Sequence, residues 1–291
     1  MLIFLNGRLV PENRAVVSVF DRGFLYGDGL FETIRVCNGR PFRWAQHLER
    51  LRRGAEFLKI KLPFTPDELL KVAGKLTVKN KMPDALLRLT LSRGVGVRGY
   101  SPKGADSPTL VMTLHPVPGT TLTRPSATTL SRPMGEGTWK LITSSLRLSD
   151  GPLARFKTAN KLAQILARAA ADEAGADEAL LLDSRGRAVE GAASNLFWAG
   201  NDVVYTPPVS AGILPGVTRA VVLEICRKLK IKTRERAPRA KELFSAQGVF
   251  LSLSSRGIVE AVELDGRKLR RAAVVKKIRQ AYTELLRGET A

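Results

Sequence analysis

Cysteine is scarce in this sequence: Cys37 and Cys226 are the two among 291 residues. They lie far apart and outside any Cys-x-x-Cys spacing, so neither a disulfide framework nor a structural zinc site is implied, no metal is expected, and a cytoplasmic setting is. Long apolar runs are missing as well. The start, Met1-Leu2-Ile3-Phe4-Leu5-Asn6-Gly7, has neither the basic region nor the apolar length of a signal peptide, and no later segment approaches a membrane span. A soluble protein with no membrane partner is expected. Internal repeats and low-complexity tracts are absent too. Acidic residues are in deficit: 27 Asp and Glu face 47 Lys and Arg, for a formal charge of +20. Such a charge raises the prospect of nucleic acid, an acidic membrane surface or anionic small molecules as partners. The densest basic cluster, Arg227 to Lys241, has helix-compatible spacing but no nucleic-acid motif and no interleaved aromatics. It is expected to be a solvated surface, with no nucleic-acid partner.

What is present is a chain with 44% hydrophobic residues, enough for a substantial core in one large domain or two moderate ones. Residues 117–138, rich in Pro, Gly, Ser and Thr, are expected to link an N-terminal domain, 1–116, to a C-terminal one, 139–291. Leu2–Leu5 and Arg8–Val10 flank Asn6-Gly7, a hairpin pattern. Gly23, Gly27 and Gly29 mark bends without the Gly-x-Gly-x-x-Gly spacing and with no helix following, and Leu30–Val36 alternates as a half-buried strand does. Trp44, Leu48, Leu51, Ala55 and Leu58 fall on one helical stripe, and Thr65-Pro66-Asp67-Glu68 reads as a capping box. Strands are expected over Leu86–Leu91, Thr109–Leu114, Lys140–Leu148, Glu178–Asp183, Ala188–Trp198, Val203–Thr206, Val249–Leu253 and Ile258–Leu264. Helices are expected from Leu162 to near Gly175, from about Gly216, over Arg239–Ala246, and from about Ala272. The mixture is α/β or α+β with hairpin-linked strands, which argues against a doubly wound parallel sheet.

Several residues suggest an anion site. A helix beginning at Gly216-Val217-Thr218 would expose backbone N–H groups, with the Thr218 hydroxyl beside them. Ser254, after a strand, could add a hydroxyl, and Arg50, on the amphipathic helix, a countercharge. Glu190, on a strand among apolar and small residues, needs a cationic partner, because a buried lone carboxylate is costly. A protonated pyridine nitrogen would serve. Between two strands, Ser92 to Pro102 carries Arg93 and Arg98 among glycines, and arginine offers a two-point fork for a carboxylate.

Together, Tyr26-Gly27-Asp28-Gly29-Leu30-Phe31-Glu32-Thr33, His47-Leu48-Glu49-Arg50-Leu51, Lys157-Thr158-Ala159-Asn160, Glu190 to Asn195, and Gly212-Ile213-Leu214-Pro215-Gly216-Val217-Thr218-Arg219 resemble the fold-type IV enzymes dependent on pyridoxal 5'-phosphate (PLP). These comprise the class-IV aminotransferases and the aminodeoxychorismate lyases, and the resemblance runs from Phe20 to about Gly266. It implies a small α/β domain and a larger PLP-binding domain with a pseudo-barrel of strands and surrounding helices. It implies PLP as cofactor, Lys157 as the Schiff-base lysine and general acid/base, Glu190 as partner of the pyridine nitrogen, and Arg50, Val217, Thr218 and Ser254 as phosphate ligands. Arg98 is the leading candidate for a substrate carboxylate, with Arg35 and Tyr26 behind it, and a homodimer is implied. The Ser92–Pro102 segment and Ala193-Ser194-Asn195-Leu196-Phe197-Trp198 look like the lyases, whereas Phe31 departs from the tyrosine of D-amino-acid transaminases. Aminotransfer between a small amino acid and a 2-oxo acid is the expected activity. The alternatives are release of pyruvate from aminodeoxychorismate, at nearly equal standing, and, remotely, a non-catalytic basic binding protein on the same fold.

Overall fold

The computed structural model describes residues 1–118, 137–148 and 151–291. The expected linker, 117–138, falls mostly outside them. The chain forms two compact units, one of Met1–Val117, Phe156–Asn160 and Leu286–Ala291, the other from Pro118–Arg155 and Lys161–Leu285. Phe156–Asn160, inside the range expected for the C-terminal domain, thus packs with the first unit.

The first unit is an antiparallel sheet of six strands, β1 (Leu2–Leu5), β2 (Arg8–Pro11), β3 (Gly29–Cys37), β4 (Arg40–Pro41), β5 (Ala85–Ser92) and β6 (Thr109–His115), in the order β2-β1-β6-β5-β3-β4. Asn6 and Gly7 both take positive φ, at 45° and 91°, as a tight turn requires. The helices are α1 (Arg22–Tyr26), α2 (Trp44–Leu58) and α3 (Pro66–Lys79). Leu30 and Ile34 of β3 meet Leu48, Leu51 and Ala55 of α2 in a core that α3 extends through Leu69, Ala73 and Leu76. Gly54 lets α2 come close, since a Cβ there would stand 3.0 Å from Leu30 Cδ1. The Thr65–Glu68 capping box forms as expected.

The second unit is a sheet of nine strands: β7 (Thr138–Arg147), β8 (Glu178–Leu182), β9 (Ala188–Gly191), β10 (Asn195–Gly200), β11 (Val203–Thr206), β12 (Lys232–Glu235), β13 (Gly248–Leu253), β14 (Gly257–Leu264) and β15 (Arg267–Lys268). Its backbone runs β10-β13-β14-β7-β8-β9, and β9 also pairs with β10, so six strands close into a barrel. Outside it lie α4 (Leu162–Glu173) and α5 (Val217–Lys228), while α6 (Ala273–Thr290) ends the chain. Mixed α/β architecture with a pseudo-barrel is therefore what this sequence forms.

Four local expectations change. The glycine-rich stretch after Phe20 contains a helix, α1, because the Asp21 carboxylate accepts the Gly23 N–H at 2.7 Å and Gly27 closes the turn at φ 66°. The run Ala188–Trp198 is a hairpin, β9 and β10, because the Glu178 carboxylate accepts the Ala193 N–H and the Ser194 hydroxyl and fixes a turn there. The basic cluster after Arg227 contains a short strand. Lys232–Glu235 pairs in parallel with β11, all four residues exposed, and its charges suit an unprotected sheet edge. Arg239–Ala246 narrows to a 3-10 turn over Ala240–Ser245.

Candidate active site

In the first unit Lys157 is placed by backbone pairing along β3. The Lys157 carbonyl accepts the Phe31 N–H at 3.0 Å, the Ala159 N–H reaches the Gly29 carbonyl at 2.9 Å, and Leu30 and Thr158 form a bridge. Asn160 Nδ2 donates to the Gly27 carbonyl at 3.1 Å, and its side chain occupies the space where a Cβ at position 27 would stand. The Lys157 ammonium lies 4.4 Å from the centroid of Phe31, and the Arg88 guanidinium 4.0 Å from that same centroid. Arg88 is half-buried, and burial pulls its pKa below the usual guanidinium value. A neighbouring anion would offset that cost.

Strand alternation turns Glu32 to the opposite face from Phe31. There it meets two residues one helical turn apart on α2: Arg50 Nε donates to Oε1 at 2.8 Å, Arg50 Nη2 to Oε2 at 2.6 Å, and His47 Nδ1 lies 2.7 Å from Oε2. Burial alone would raise the Glu32 pKa, but the charge and hydrogen bonds of Arg50, followed by His47, hold it at about 2. Burial pushes the His47 pKa down against the pull of Glu32, so the imidazole is neutral at pH 7 and its Nδ1–H donates to the carboxylate. The countercharge of Glu32 is therefore Arg50.

The remaining candidates of this unit are spread along it. The Tyr26 hydroxyl accepts the Gly99 N–H at 3.1 Å. Arg98 is exposed on the β5–β6 loop. Arg35 is buried with Nη2 at 3.4 Å from Asp84, and it stands four residues along β3 from Phe31, about 13 Å at the rise of a strand.

In the second unit Glu190 and Asn195 are register partners on β9 and β10. Together they grip both backbone polar groups of Leu214, in the turn before α5: Glu190 Oε2 accepts the Leu214 N–H at 3.0 Å, and Asn195 Nδ2 donates to the Leu214 carbonyl at 2.9 Å. Gly216 follows as N-cap of α5, with no side-chain cap on the first turn. A Cβ at Gly216 would stand 2.0 Å from Asn195 Oδ1, so only glycine fits. Val217 and Thr218 open the helix, both buried. An uncapped helix start with a buried threonine hydroxyl suits a phosphate. Ser254 is half-buried in the turn after β13. Near Glu190, burial lowers the pKa of Lys161 while the carboxylate opposes the shift. Glu178, buried at the start of β8 against the β9–β10 turn, has its pKa raised by burial despite its backbone bonds.

With this geometry in place, residues 29–264 match the family model described as amino-transferase class IV. The chain belongs to the class IV aminotransferase family. A Methanocaldococcus jannaschii protein, provisionally named a branched-chain-amino-acid aminotransferase, is 36% identical over 98% of this chain and 96% of its own. The aminodeoxychorismate lyase of Bacillus subtilis is 30% identical over 91% of this chain and 87% of its own. The solved structure of Escherichia coli branched-chain amino acid aminotransferase superposes with a TM-score of 0.88 at 27% identity, covering 100% of this chain and 96% of that one. The family is PLP-dependent, and the fold is that of the fold-type IV enzymes. The residues present fit that cofactor: a phosphate suits the glycine-only start of α5, and Glu190 lies next to the same turn.

Sequence reasoning did not single out Glu32, His47, Arg88 or Asn195, which the structure sets against Arg50, the Phe31 ring and Leu214. Arg88 was legible in principle, because in Leu86–Leu91 it shares the polar face of the strand with Thr90.

Proposed function

We propose that this protein is a PLP-dependent aminotransferase that moves an amino group between a small amino acid and a 2-oxo acid. The observation that carries this reading is the setting of Lys157, an amine fixed by backbone pairing at Phe31 beside the half-buried cation of Arg88. When bound, PLP supplies the electron-withdrawing ring that stabilises a substrate carbanion. Lys157 holds the cofactor covalently and carries the substrate α-proton. Glu190 keeps a proton on the pyridine nitrogen. Arg50, Val217, Thr218 and Ser254 bind the phosphate, and Arg50 is oriented for this by its two bonds to Glu32. Arg88 joins Arg98 as a candidate for the substrate carboxylate, ahead of Arg35, whose guanidinium turns to Asp84. Tyr26 acts through the loop that its hydroxyl holds.

A cytoplasmic homodimer is the proposed form. No helix among the described residues is long and apolar enough to cross a membrane. Phe20, Phe24 and Tyr100 in the first unit, and Leu162, Ile165 and Leu166 along α4 in the second, are exposed on the single chain. Apolar surface of that extent favours a partner copy. Nucleic acid is not among the proposed partners.

The second reading, aminodeoxychorismate lyase, rests on the Ser92–Pro102 loop and on the lyase relative. One assay separates the two. The holoenzyme is given a panel of L- and D-amino acids with a 2-oxo acid and, separately, aminodeoxychorismate. Keto-acid formation from an amino acid is the expected result, and pyruvate release without amino transfer would replace the first reading by the second.

A further inference from the structure

The loop between β5 and β6 carries Arg98, and its conformation is set from α1. Its two ends are drawn together by Asp21, whose Oδ2 accepts from Ser92 Oγ at 2.9 Å and from Thr109 Oγ1 at 2.6 Å. Its tip is gathered by the next residue, Arg22. Nη1 of Arg22 donates to the carbonyl oxygens of Gly99 at 2.8 Å and Ser101 at 3.1 Å, and Nη2 donates to that of Tyr100 at 3.1 Å. Nε donates to Asp28 Oδ2 at 2.9 Å. Three consecutive carbonyls and a carboxylate thus share one guanidinium, an arrangement that needs the planar fork of arginine and that a lysine ammonium cannot reproduce.

The clamp is anchored at its base and shaped around its stem. Asp28 also accepts from Arg93 Nε at 2.7 Å, and Arg93 is itself tied to the carbonyls of Leu58 and Lys59. Burial would raise the Asp28 pKa, but Arg93 and then Arg22 outweigh it and hold it low, so the anchor stays charged. A Cβ at Gly96 would come within 3.0 Å of Arg22 Cδ, so the loop passes over the arginine stem at a glycine. The Tyr26 ring lies 5.0 Å from the Arg22 guanidinium while its hydroxyl takes the Gly99 N–H. Both polar groups of Gly99, the residue after Arg98, are therefore held by α1. Gly99 sits at φ 113°, where a side chain is strained. Arg22 itself is buried, whereas the Arg98 side chain is exposed and, among the described residues, has no hydrogen-bond or ion-pair partner.

We propose that Arg22 is a positioning residue for the reaction: by gathering the carbonyls of Gly99, Tyr100 and Ser101 on a guanidinium anchored to Asp28, it fixes the backbone from which Arg98 meets the substrate carboxylate. The proposal rests on the reading that Arg98 binds that carboxylate. Arg22 touches neither substrate nor cofactor in this role. Its loss widens the range of loop conformations, so substrate binding weakens while the chemical step in the bound complex is spared.

The test is a double-mutant cycle on the holoenzyme with Arg22→Lys, Arg22→Ala, Arg98→Ala and Arg22→Ala/Arg98→Ala. The substrate is whichever of L-leucine, L-glutamate, D-alanine and aminodeoxychorismate the wild type turns over fastest. Melting temperature and the absorbance of bound PLP report folding. Each single variant is expected to raise KM about tenfold with kcat within about threefold, and the double variant to be no worse than Arg98→Ala alone, since coupled residues are not additive. Should Arg22→Ala fail to fold, Arg22→Lys still decides, because it keeps the charge beside Asp28 and loses the fork. Wild-type kinetics in Arg22→Lys, or fully additive losses in the double variant, would overturn the proposal and leave the role of Arg98 standing. An unchanged KM in Arg98→Ala, or turnover of none of the four substrates, would overturn the reading beneath it as well.

Discussion

Glu32 and Arg50 face each other in a two-point ion pair, Nε to Oε1 at 2.8 Å and Nη2 to Oε2 at 2.6 Å, with the carboxylate sealed from solvent between β3 and α2. Removing the charge from one partner leaves the other buried and uncompensated, a cost of roughly 3–5 kcal/mol. Glu32→Gln is therefore expected to lower the urea-unfolding free energy by about 3 kcal/mol and to weaken PLP binding, because Arg50 loses its orientation. An unchanged unfolding midpoint would show that the pair contributes nothing net.

His47 gives the pair a pH signature. Burial places its pKa in the folded protein below the 6.5 of an ordinary imidazole, so the unfolded chain binds the proton more readily. Its contribution to stability is full above pH 6.5 and is lost progressively as the pH falls below that value. Unfolding free energies measured from pH 7.5 to 5.5 should fall more steeply in the wild type than in His47→Gln. His115, also lowered by burial, titrates in both proteins and cancels from the difference. Parallel curves would mean that His47 is not held neutral.

Arg88 bears on the substrate. Its guanidinium is half-buried over Phe31, on the ring that also faces the Lys157 ammonium. Arg88→Ala should raise KM for a carboxylate-bearing substrate about tenfold or more while leaving the absorbance of bound PLP intact, since hydrogen bonds to charged groups contribute about 1.5–3 kcal/mol. Loss of the cofactor band instead of substrate affinity would move Arg88 from substrate to cofactor.

Gly216 tests the phosphate cradle without removing any polar group. A Cβ there would stand 2.0 Å from Asn195 Oδ1, and Asn195 holds the Leu214 carbonyl. Gly216→Ala should displace the start of α5 and weaken PLP affinity about fivefold or more, for an overpacking cost of about 1–3 kcal/mol. Equilibrium dialysis measures it, and wild-type affinity would place the phosphate elsewhere.

The sequence carried the architecture where local chemistry and packing agree. The Asn6-Gly7 turn, the α2 stripe from Trp44 to Leu58, the Thr65–Glu68 box and the start of α5 after Gly216 all stand where their residues indicate. Readings failed where a distant side chain decides. The single strand expected over Ala188–Trp198 breaks at a turn fixed by Glu178, and the helix at Arg22 depends on an Asp21 cap inside a glycine-rich stretch. Leu162, Ile165 and Leu166 mark α4 correctly, yet they lie exposed on the single chain, while Ala167 and Ala171 make the contact with the barrel. Within the site, motifs pointed to Lys157, Glu190 and Arg50. They could not reveal that Glu32 orients Arg50, that Arg88 shares a ring with Lys157, or that Asn195 and Glu190 hold the backbone of Leu214 between them. Those relations exist only once the strands are in register.

Every functional statement depends on Lys157 carrying the cofactor. The direct measurement is the absorbance of the purified protein after incubation with PLP, before and after borohydride, in the wild type and in Lys157→Ala. The wild type should show a visible or near-ultraviolet band that borohydride abolishes with covalent retention of the cofactor, and the variant should show neither that band nor retention. A wild type without the band, or a Lys157→Ala variant that keeps it and traps the cofactor, would contradict the account.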